Sequence, residues 1–383
     1  MKLKGENQKI NVLILPDLFP KNEKDWVGVF VVDYVKSIAS QCNPIVFYSR
    51  LIGDDTPLKS ERFNTSFDVY RWNYKTKITP ILKPLFYLFW FFKTAKQVQQ
   101  TIKNVDVIHA HGAILNGTVA YLLSKRLNVP FVISEHTGPF SKVSNSFVKR
   151  NWAKYILNKA NKVLTVSNHL KQEILDIGVH QSKIEVTYNP VDTNLFTLKE
   201  NKILIKNILF VSRLEPFKGG LRTLKSFHQL LQKEGDWNLT ICGEGVEKQA
   251  ILQYITKNKL KDKVTIKGTL TKKELAKEIH KAAFLVYPSL HESFGLIPVE
   301  AMSCGIPVIC TNQTAPKEYI NAANGLLVHP NNIDEIAQAM QTLINNLSAY
   351  DAGNIRKQIV ERFGFDNFGK NLIKIYSNIR WVL

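Results

Sequence analysis

Strand-like and helix-like stretches alternate along the whole chain, and the alternation starts afresh near its middle. KINVLILP (9–16) is a short, largely apolar run, the pattern of a buried parallel strand. GVFVVDYVKSIAS (28–40) then carries apolar residues at helical spacing. PIVFYS (44–49), FDVYRW (67–72), DVIHAHG (106–112), PFVISEHTG (130–138), KVLTVSNHL (162–170) and IEVTYNPVD (184–192) continue the strand series. Helices are expected over 84–103, 116–127 and around 170–177, with Pro84 suited to a first turn. A second series opens with the strand KNILFVSRL (206–214) and a helix over 219–233. Its later strands are WNLTICGEG (237–245), KVTIKG (263–268), FLVYPS (284–289), IPVICTN (306–312) and GLLVHP (325–330). Parallel strands need long crossovers, normally helices, so each series predicts a doubly wound α/β sheet. Two series predict two such domains with a cleft between them, joined by the polar stretch 192–206. A length of 383 residues, too much for one average core, agrees.

Composition narrows the function classes. A content of 45% hydrophobic and 22% charged residues is that of a globular protein rather than a disordered one. No run approaches eighteen apolar residues; the longest candidate, ILKPLFYLFWFF (81–92), is broken by Lys83, so no transmembrane helix is expected. The N-terminal apolar run Ile10 to Leu15 leads to a Pro-containing loop instead of a small-residue cleavage site, which is not a secretory signal. Cys42, Cys242, Cys304 and Cys310 are scattered without CxxC pairs or His-Cys spacing. They read as buried thiols of a reducing compartment, with neither disulfides nor structural zinc.

The net charge of +19 calls for an anionic partner or surface. Between His136 and Glu173 there is no acidic residue, while Lys142, Lys149, Arg150, Lys154, Lys159, Lys162 and Lys171 accumulate, with Phe147, Trp152 and Tyr155 among them. Such a basic, aromatic-bearing helix can lie on an anionic membrane, bind nucleic acid, or simply be a solvated face.

In doubly wound folds ligands sit beyond the carboxyl ends of the strands, and the unusual residues of this chain fall there. VSRLEPFKGG (211–220) leaves a strand and enters a helix with Arg213 and Lys218, a guanidinium and an ammonium able to neutralise a diphosphate together. HESFGLIPVE (291–300) predicts a loop turning into a helix at about Leu296, because Pro298 is tolerated only in a first turn. The amides near Gly295 and Leu296 then form an anion site. Glu292 and Glu300 could be a glycosidase pair, but a chain that bends through a glycine need not hold them at the required separation. Alternatively each has its own task, with Glu300 accepting hydrogen bonds from a ribose or merely favoured by the helix dipole. CGEG (242–245) and Gly28 would let backbone approach a nucleotide or phosphate, or serve as turn residues. His136 follows a strand into a loop, where it can be structural or functional. His109 and His111 resemble a metal pair, yet no third ligand has matching spacing, so metal is discounted.

Together these segments resemble family 4 of the glycosyltransferases, the retaining GT-B enzymes. The specific element is EX7E, Glu292 to Glu300, continued by AMSCGIPVI, with supporting matches at VSRL…KG (211–219), GEG (243–245), DVIHAHG, SEHTG, NPVDTNLF (189–196), KEYI (317–320) and NGLLVHP (324–330). The chain departs from the family at Pro190, where a glycine is frequent, and at Gly28-Val29, where many members have a glycine pair. The resemblance implies a GT-B architecture: two Rossmann-like doubly wound α/β domains facing each other across a cleft. Residues 1–195 would bind the acceptor, 200–364 the nucleotide-sugar donor, and an amphipathic helix in 365–383 would pack back onto the first domain.

The resemblance also implies roles. Arg213 and Lys218 would hold the donor diphosphate, helped by Gly28 and by Phe294, Gly295 and Leu296. Glu300 would take the ribose, Gly243 and Gly268 would lie near the base, and Glu292 and His136 would meet the transferred sugar. No cofactor or metal is expected, since the two cations neutralise the leaving group. The implied activity moves a hexose or N-acetylhexosamine from a UDP- or GDP-sugar to a glycan or polyprenyl-linked acceptor, in surface polysaccharide or glycolipid synthesis. Its expected setting is the cytoplasm, peripheral to the inner face of the cell membrane and without a nucleic-acid partner. The competing readings are a GT-B enzyme with a soluble acceptor, a nucleotide-sugar epimerase, and a basic nucleic-acid-binding protein.

Overall fold

A computed structural model of the protein describes residues 9–22, 25, 27–51, 56–63, 67–74, 83–198 and 205–380. Residues 81–82 of the apolar candidate segment, 199–204 of the expected linker and 381–383 at the C-terminus lie outside the described residues. The chain forms two compact units, one of Met1–Pro190 with Phe365–Leu383 and one of Val191–Gly364. The stretch after Pro190 is fastened to the second unit. The Val191 amide donates to the Phe363 carbonyl at 2.8 Å, and Arg356 donates to the carbonyls of Thr193 (2.9 Å) and Phe196 (2.6 Å).

The first unit holds strands β1 (Asn11–Pro16), β2 (Asn43–Leu51), β3 (Thr56–Phe63), β4 (Phe67–Tyr74), β5 (Val107–His111), β6 (Phe131–Glu135), β7 (Lys162–Thr165) and β8 (Ile184–Val186). They form one sheet in the order β3-β4-β2-β1-β5-β6-β7-β8. All pairings are parallel except β3 with β4. Strand β3 was not legible in the sequence: it is an edge strand with Lys59, Ser60 and Glu61 exposed, so it needs no apolar pattern. The central strands are buried along most of their length, which is why they read as continuous apolar runs. Helix Phe365–Arg380 presents Phe368, Leu372, Ile375, Tyr376 and Ile379 on one stripe. These residues share a core cluster with Val31, Tyr34, Val35 and Ile38 of helix Val29–Ile38.

The second unit holds β9 (Asn207–Val211), β10 (Asn238–Cys242), β11 (Val264–Lys267), β12 (Phe284–Tyr287), β13 (Val308–Thr311) and β14 (Gly325–Val328), all parallel. Their order is β11-β10-β9-β12-β13-β14, the doubly wound arrangement of dinucleotide-binding sheets. Chain direction across the sheet reverses between β9 and β12. The loops leaving these two strands therefore diverge and open a crevice at their carboxyl ends. The sheet packs around Phe210, Phe227, Trp237, Phe284 and Met340. All four cysteines are free and buried, with their thiols pushed up in pKa, chiefly by burial.

Candidate functional site

The switch point of the second sheet gathers several of the residues that the sequence singled out, while Gly28 and His136 lie in the first unit. The turn Pro216–Lys218 follows β9, and the loop 288–295 follows β12. The two are tied by the Leu290 amide donating to the Phe217 carbonyl at 2.8 Å and by Arg222 donating to the Pro288 carbonyl at 3.2 Å. This brings the Lys218 ammonium onto Oε1 of Glu292, with both side chains about nine-tenths buried. The Tyr287 hydroxyl, at the end of β12, donates to the same Oε1 at 2.6 Å. Burial and then the negative Glu292 hold the Tyr287 phenol well above its usual pKa, so it stays a proton donor. Arg213 and Lys218 flank one ring, their cationic groups 5.8 and 5.3 Å from the centre of Phe217. Arg213 is exposed while Lys218 is largely buried.

Helix Leu296–Ser303 starts at the predicted residue, with Gly295 as its N-cap in the left-handed conformation and no side chain closing it. Its first-turn amides have no acceptors within the helix and form a positive end. Tyr319 donates to the carbonyls of Phe294 (2.8 Å) and Gly295 (3.1 Å), which fixes this turn. The Phe294 ring is buried against Tyr319 and Phe363, so what Phe294 offers a ligand is backbone rather than its side chain. Glu300, on the same helix, is buried, and its Oε1 lies 3.4 Å from the Lys272 ammonium. The two carboxylates of the EX7E element thus have different cationic partners.

Two glycines have a reason the sequence did not reveal. At Gly243 (φ +141°) an added Cβ would fall 1.9 Å from the Ser212 carbonyl oxygen; the empty side is already filled by the loop after β9. Gly28 (φ +78°), in the first unit, would place a Cβ 2.5 Å from the backbone of Leu18. Both serve close packing between loops, whatever else they approach. Gly268 is different, since its nearest obstacle is Oε1 of the exposed Glu244 at 3.2 Å.

His136 lies in the first unit, and there the sequence reasoning on metal missed a neighbour. A third histidine does join the HxH pair in space. His109 stacks on His111 (4.7 Å, 14°) and His111 on His136 (5.1 Å, 12°), with Tyr34 set edge-on to all three. Four of the six ring nitrogens are engaged with one another or with the protein: His111 Nδ1 with His136 Nε2 at 2.9 Å, and His109 with Ser134 at 2.8 Å and Tyr376 at 2.5 Å, while His111 Nε2 and His136 Nδ1 are buried without a hydrogen-bond partner among the described residues. Among the described residues no group of three His, Cys, Asp or Glu side chains is arranged to hold a metal ion. Burial pushes His109 and His136 down to about 3 and His111 well below its usual value. Asn189 offsets a little of this at His136.

Asp17, at the switch point between β1 and β5, is pushed up to about 7 by burial and then by Glu135, although Asn116 donates to it at 2.7 Å. The sequence reading passed over it. The two kinds of group give opposite slopes. Neutral buried histidines contribute stability that is lost as pH falls below the unfolded value of about 6.5. The raised Asp17 contributes stability that is lost as pH rises from about 4 through 7. Three histidines lowered by burial stand against two raised carboxyls, Asp17 and Glu135, so the histidines set the sign. The melting temperature should fall between pH 7 and pH 5, and His136→Gln should flatten that slope; a flat wild-type profile would mean the stack accepts protons in place.

Besides Asp17, the sequence reading missed Tyr287, Lys272 and Tyr319. Tyr287 carried a usable signal, as the last strand residue before the HESFG loop. Tyr319 lies in the KEYI segment (317–320) that supported the resemblance, though no role was attached to it, and Lys272, 28 residues from the Glu300 it pairs with, carried none.

The comparisons with known proteins bear on the family and the fold. The profile "Glycosyltransferase Family 4" matches residues 27–195, and "Glycosyl transferases group 1" matches 199–361. An uncharacterized glycosyltransferase of Methanocaldococcus jannaschii is 29% identical over 323 residues, 82% of this chain and 89% of that protein. A GDP-mannose:cellobiosyl-diphosphopolyprenol alpha-mannosyltransferase of Xanthomonas campestris is 27% identical over 272 residues, 68% of this chain and 70% of that protein. The structure of Anabaena HepE in complex with UDP and glucose matches with a TM-score of 0.75 at 20% identity, over 96% of this chain and 99% of that one, a likeness of fold.

Proposed function

The chain belongs to the group 1, family 4 glycosyltransferases, and on that premise we propose that it is a retaining enzyme transferring a sugar from a UDP- or GDP-sugar to a lipid-linked glycan at the cytoplasmic membrane face. The product would enter surface polysaccharide or glycolipid synthesis. The observation that carries this reading is the convergence of Arg213, Lys218, Glu292 and the open N-terminus of helix Leu296–Ser303 at one switch point. Two cations and a helix end suit a diphosphate, and a buried carboxylate beyond them suits the ribose, here Glu300. The lipid-linked acceptor is supported by the Xanthomonas relative, whose acceptor is a diphosphopolyprenol.

In the proposed reaction the bond from the anomeric carbon to the donor phosphate oxygen breaks, and a bond to the acceptor oxygen forms on the same face. The acceptor proton passes to the departing phosphate oxygen. Lys218 and Arg213 stabilise the charge that grows on that phosphate, the usual source of most rate enhancement in such transfers. Glu292 acts electrostatically. With Lys218 and Tyr287 both on Oε1, that oxygen is a poor nucleophile, and a covalent sugar–Glu292 adduct caught by mass spectrometry would overturn this assignment. His136, held neutral by burial, can donate or accept a hydrogen bond to substrate without adding charge.

A panel of nucleotide sugars read by thermal shift tests the proposal. A true donor at a hundred times its dissociation constant stabilises the fold by about 2.7 kcal/mol. The shift should survive EDTA, since side chains supply the positive charge. The absence of any shift across UDP- and GDP-sugars would count against the donor assignment.

A further inference from the structure

We propose that one face of the first unit, built from helices Lys83–Thr101, Leu115–Leu127 and Phe147–Lys159, docks onto an anionic lipid bilayer. Across these three helices there are nine lysines and arginines and not one aspartate or glutamate. The same helices carry six of the large apolar side chains left exposed among the described residues: Leu88, Phe89, Phe92, Phe147, Val148 and Tyr155. Phe147 and Val148, 82% and 71% exposed, stand together at a helix start where none of the described residues covers them.

Cation and ring are paired on this face. Lys93 lies 5.2 Å from the centre of Phe89, Arg126 5.9 Å from Phe92, and Lys159 5.2 Å from Tyr155. An apolar ring beside a long cationic side chain suits the boundary of a bilayer, where the ring enters the acyl region and the charge stays at the phosphates. Between the helices runs an open groove of about 460 Å³, lined by Leu88, Phe92, Tyr121, Leu122, Trp152 and Tyr155, wide enough for part of an acyl chain. Its floor is held by the Trp152 indole donating to Thr118 at 3.0 Å and by Phe91 edge-on to Trp152 at 5.6 Å.

Charge selects the occupant. A second copy of the chain would bring the same cationic face against itself, and like charges repel. Nucleic acid would satisfy the cations but leave the protruding Phe147 and Val148 unused. An anionic leaflet satisfies both. No helix among the described residues is long and apolar enough to cross a membrane, so the contact is interfacial.

The proposal deepens the lipid-linked-acceptor reading, and its test does not depend on transfer activity. The full chain is sedimented with phosphatidylcholine vesicles with and without phosphatidylglycerol, at low and high salt. Binding should require the anionic lipid and weaken at least tenfold at high salt, because screening shortens the reach of the cations. Phe147→Glu should reduce vesicle binding at least tenfold while leaving the donor-induced thermal shift unchanged. Lys149→Glu with Lys159→Glu should do the same without touching the apolar residues. Lys218→Ala should abolish the donor effect and leave vesicle binding intact, which separates failure of the donor reading from failure of this one. Vesicle binding indifferent to both surface variants would overturn the proposal. So would a dimer that Phe147→Glu dissolves, or a gel shift at physiological salt that exceeds vesicle binding.

Discussion

Lys218→Met should lower kcat/KM for sugar transfer about 10²–10³-fold, the loss expected when one donor to a developing oxyanion is removed. The substitution does two things, and they must be separated. It deletes the proposed phosphate contact, and it leaves Glu292 as a largely buried carboxylate held by Tyr287 alone. Stranding one member of such a pair is costlier than losing both, so the variant should also be destabilised, by about 2 kcal/mol after allowance for the remaining exposure. Glu292→Gln should show a comparable destabilisation for the converse reason. The double variant then decides what Lys218 is for. With both charges removed together, Lys218→Met plus Glu292→Gln should regain most of the stability. Its kcat/KM should nonetheless stay as low as in Lys218→Met alone. Recovery of activity in the double variant would mean that Lys218 serves only to neutralise Glu292 and that the diphosphate is held elsewhere.

The central strands of both sheets were readable because parallel strands buried on both faces leave a run of Val, Ile and Leu. The helix at Leu296 was readable for a different reason: Pro298 is tolerated only in a helix's first turn, and Gly295 can take the left-handed conformation its N-cap needs. What stayed hidden depended on partners far away in sequence. Glu292 and Lys218 are 74 residues apart, and only the sheet order, with β12 beside β9, makes them neighbours. His109 and His111 resemble a metal pair, discounted for want of a third ligand by spacing, and Tyr376, 267 residues after His109, is a partner that no spacing revealed. Edge strand β3 had no burial to imprint a pattern on it.

The glycines show most clearly how a motif can be seen while its cause is not. Gly243 and Gly268 were both assigned to the nucleotide base, and their substitution should give unlike results. Gly243→Ala should destabilise the second unit by about 3 kcal/mol or more, combining a positive φ with an overlap against the Ser212 carbonyl. The position cannot relax easily. The Gly243 amide donates to the Lys267 carbonyl at 3.0 Å, while the Ser212 amide is pinned to the Cys242 carbonyl at 3.1 Å. Any shift that relieves the overlap also displaces the segment carrying Arg213, so donor binding should fail together with the fold. Gly268→Ala meets only the tip of an exposed glutamate and should cost about 1 kcal/mol or less. Urea melts with and without nucleotide separate the two. Loss of donor affinity in a stably folded Gly268→Ala would report a direct contact with the base. A Gly243→Ala that melts like the wild type yet no longer binds donor would show that nucleotide approach, and not loop packing, is what demands glycine there.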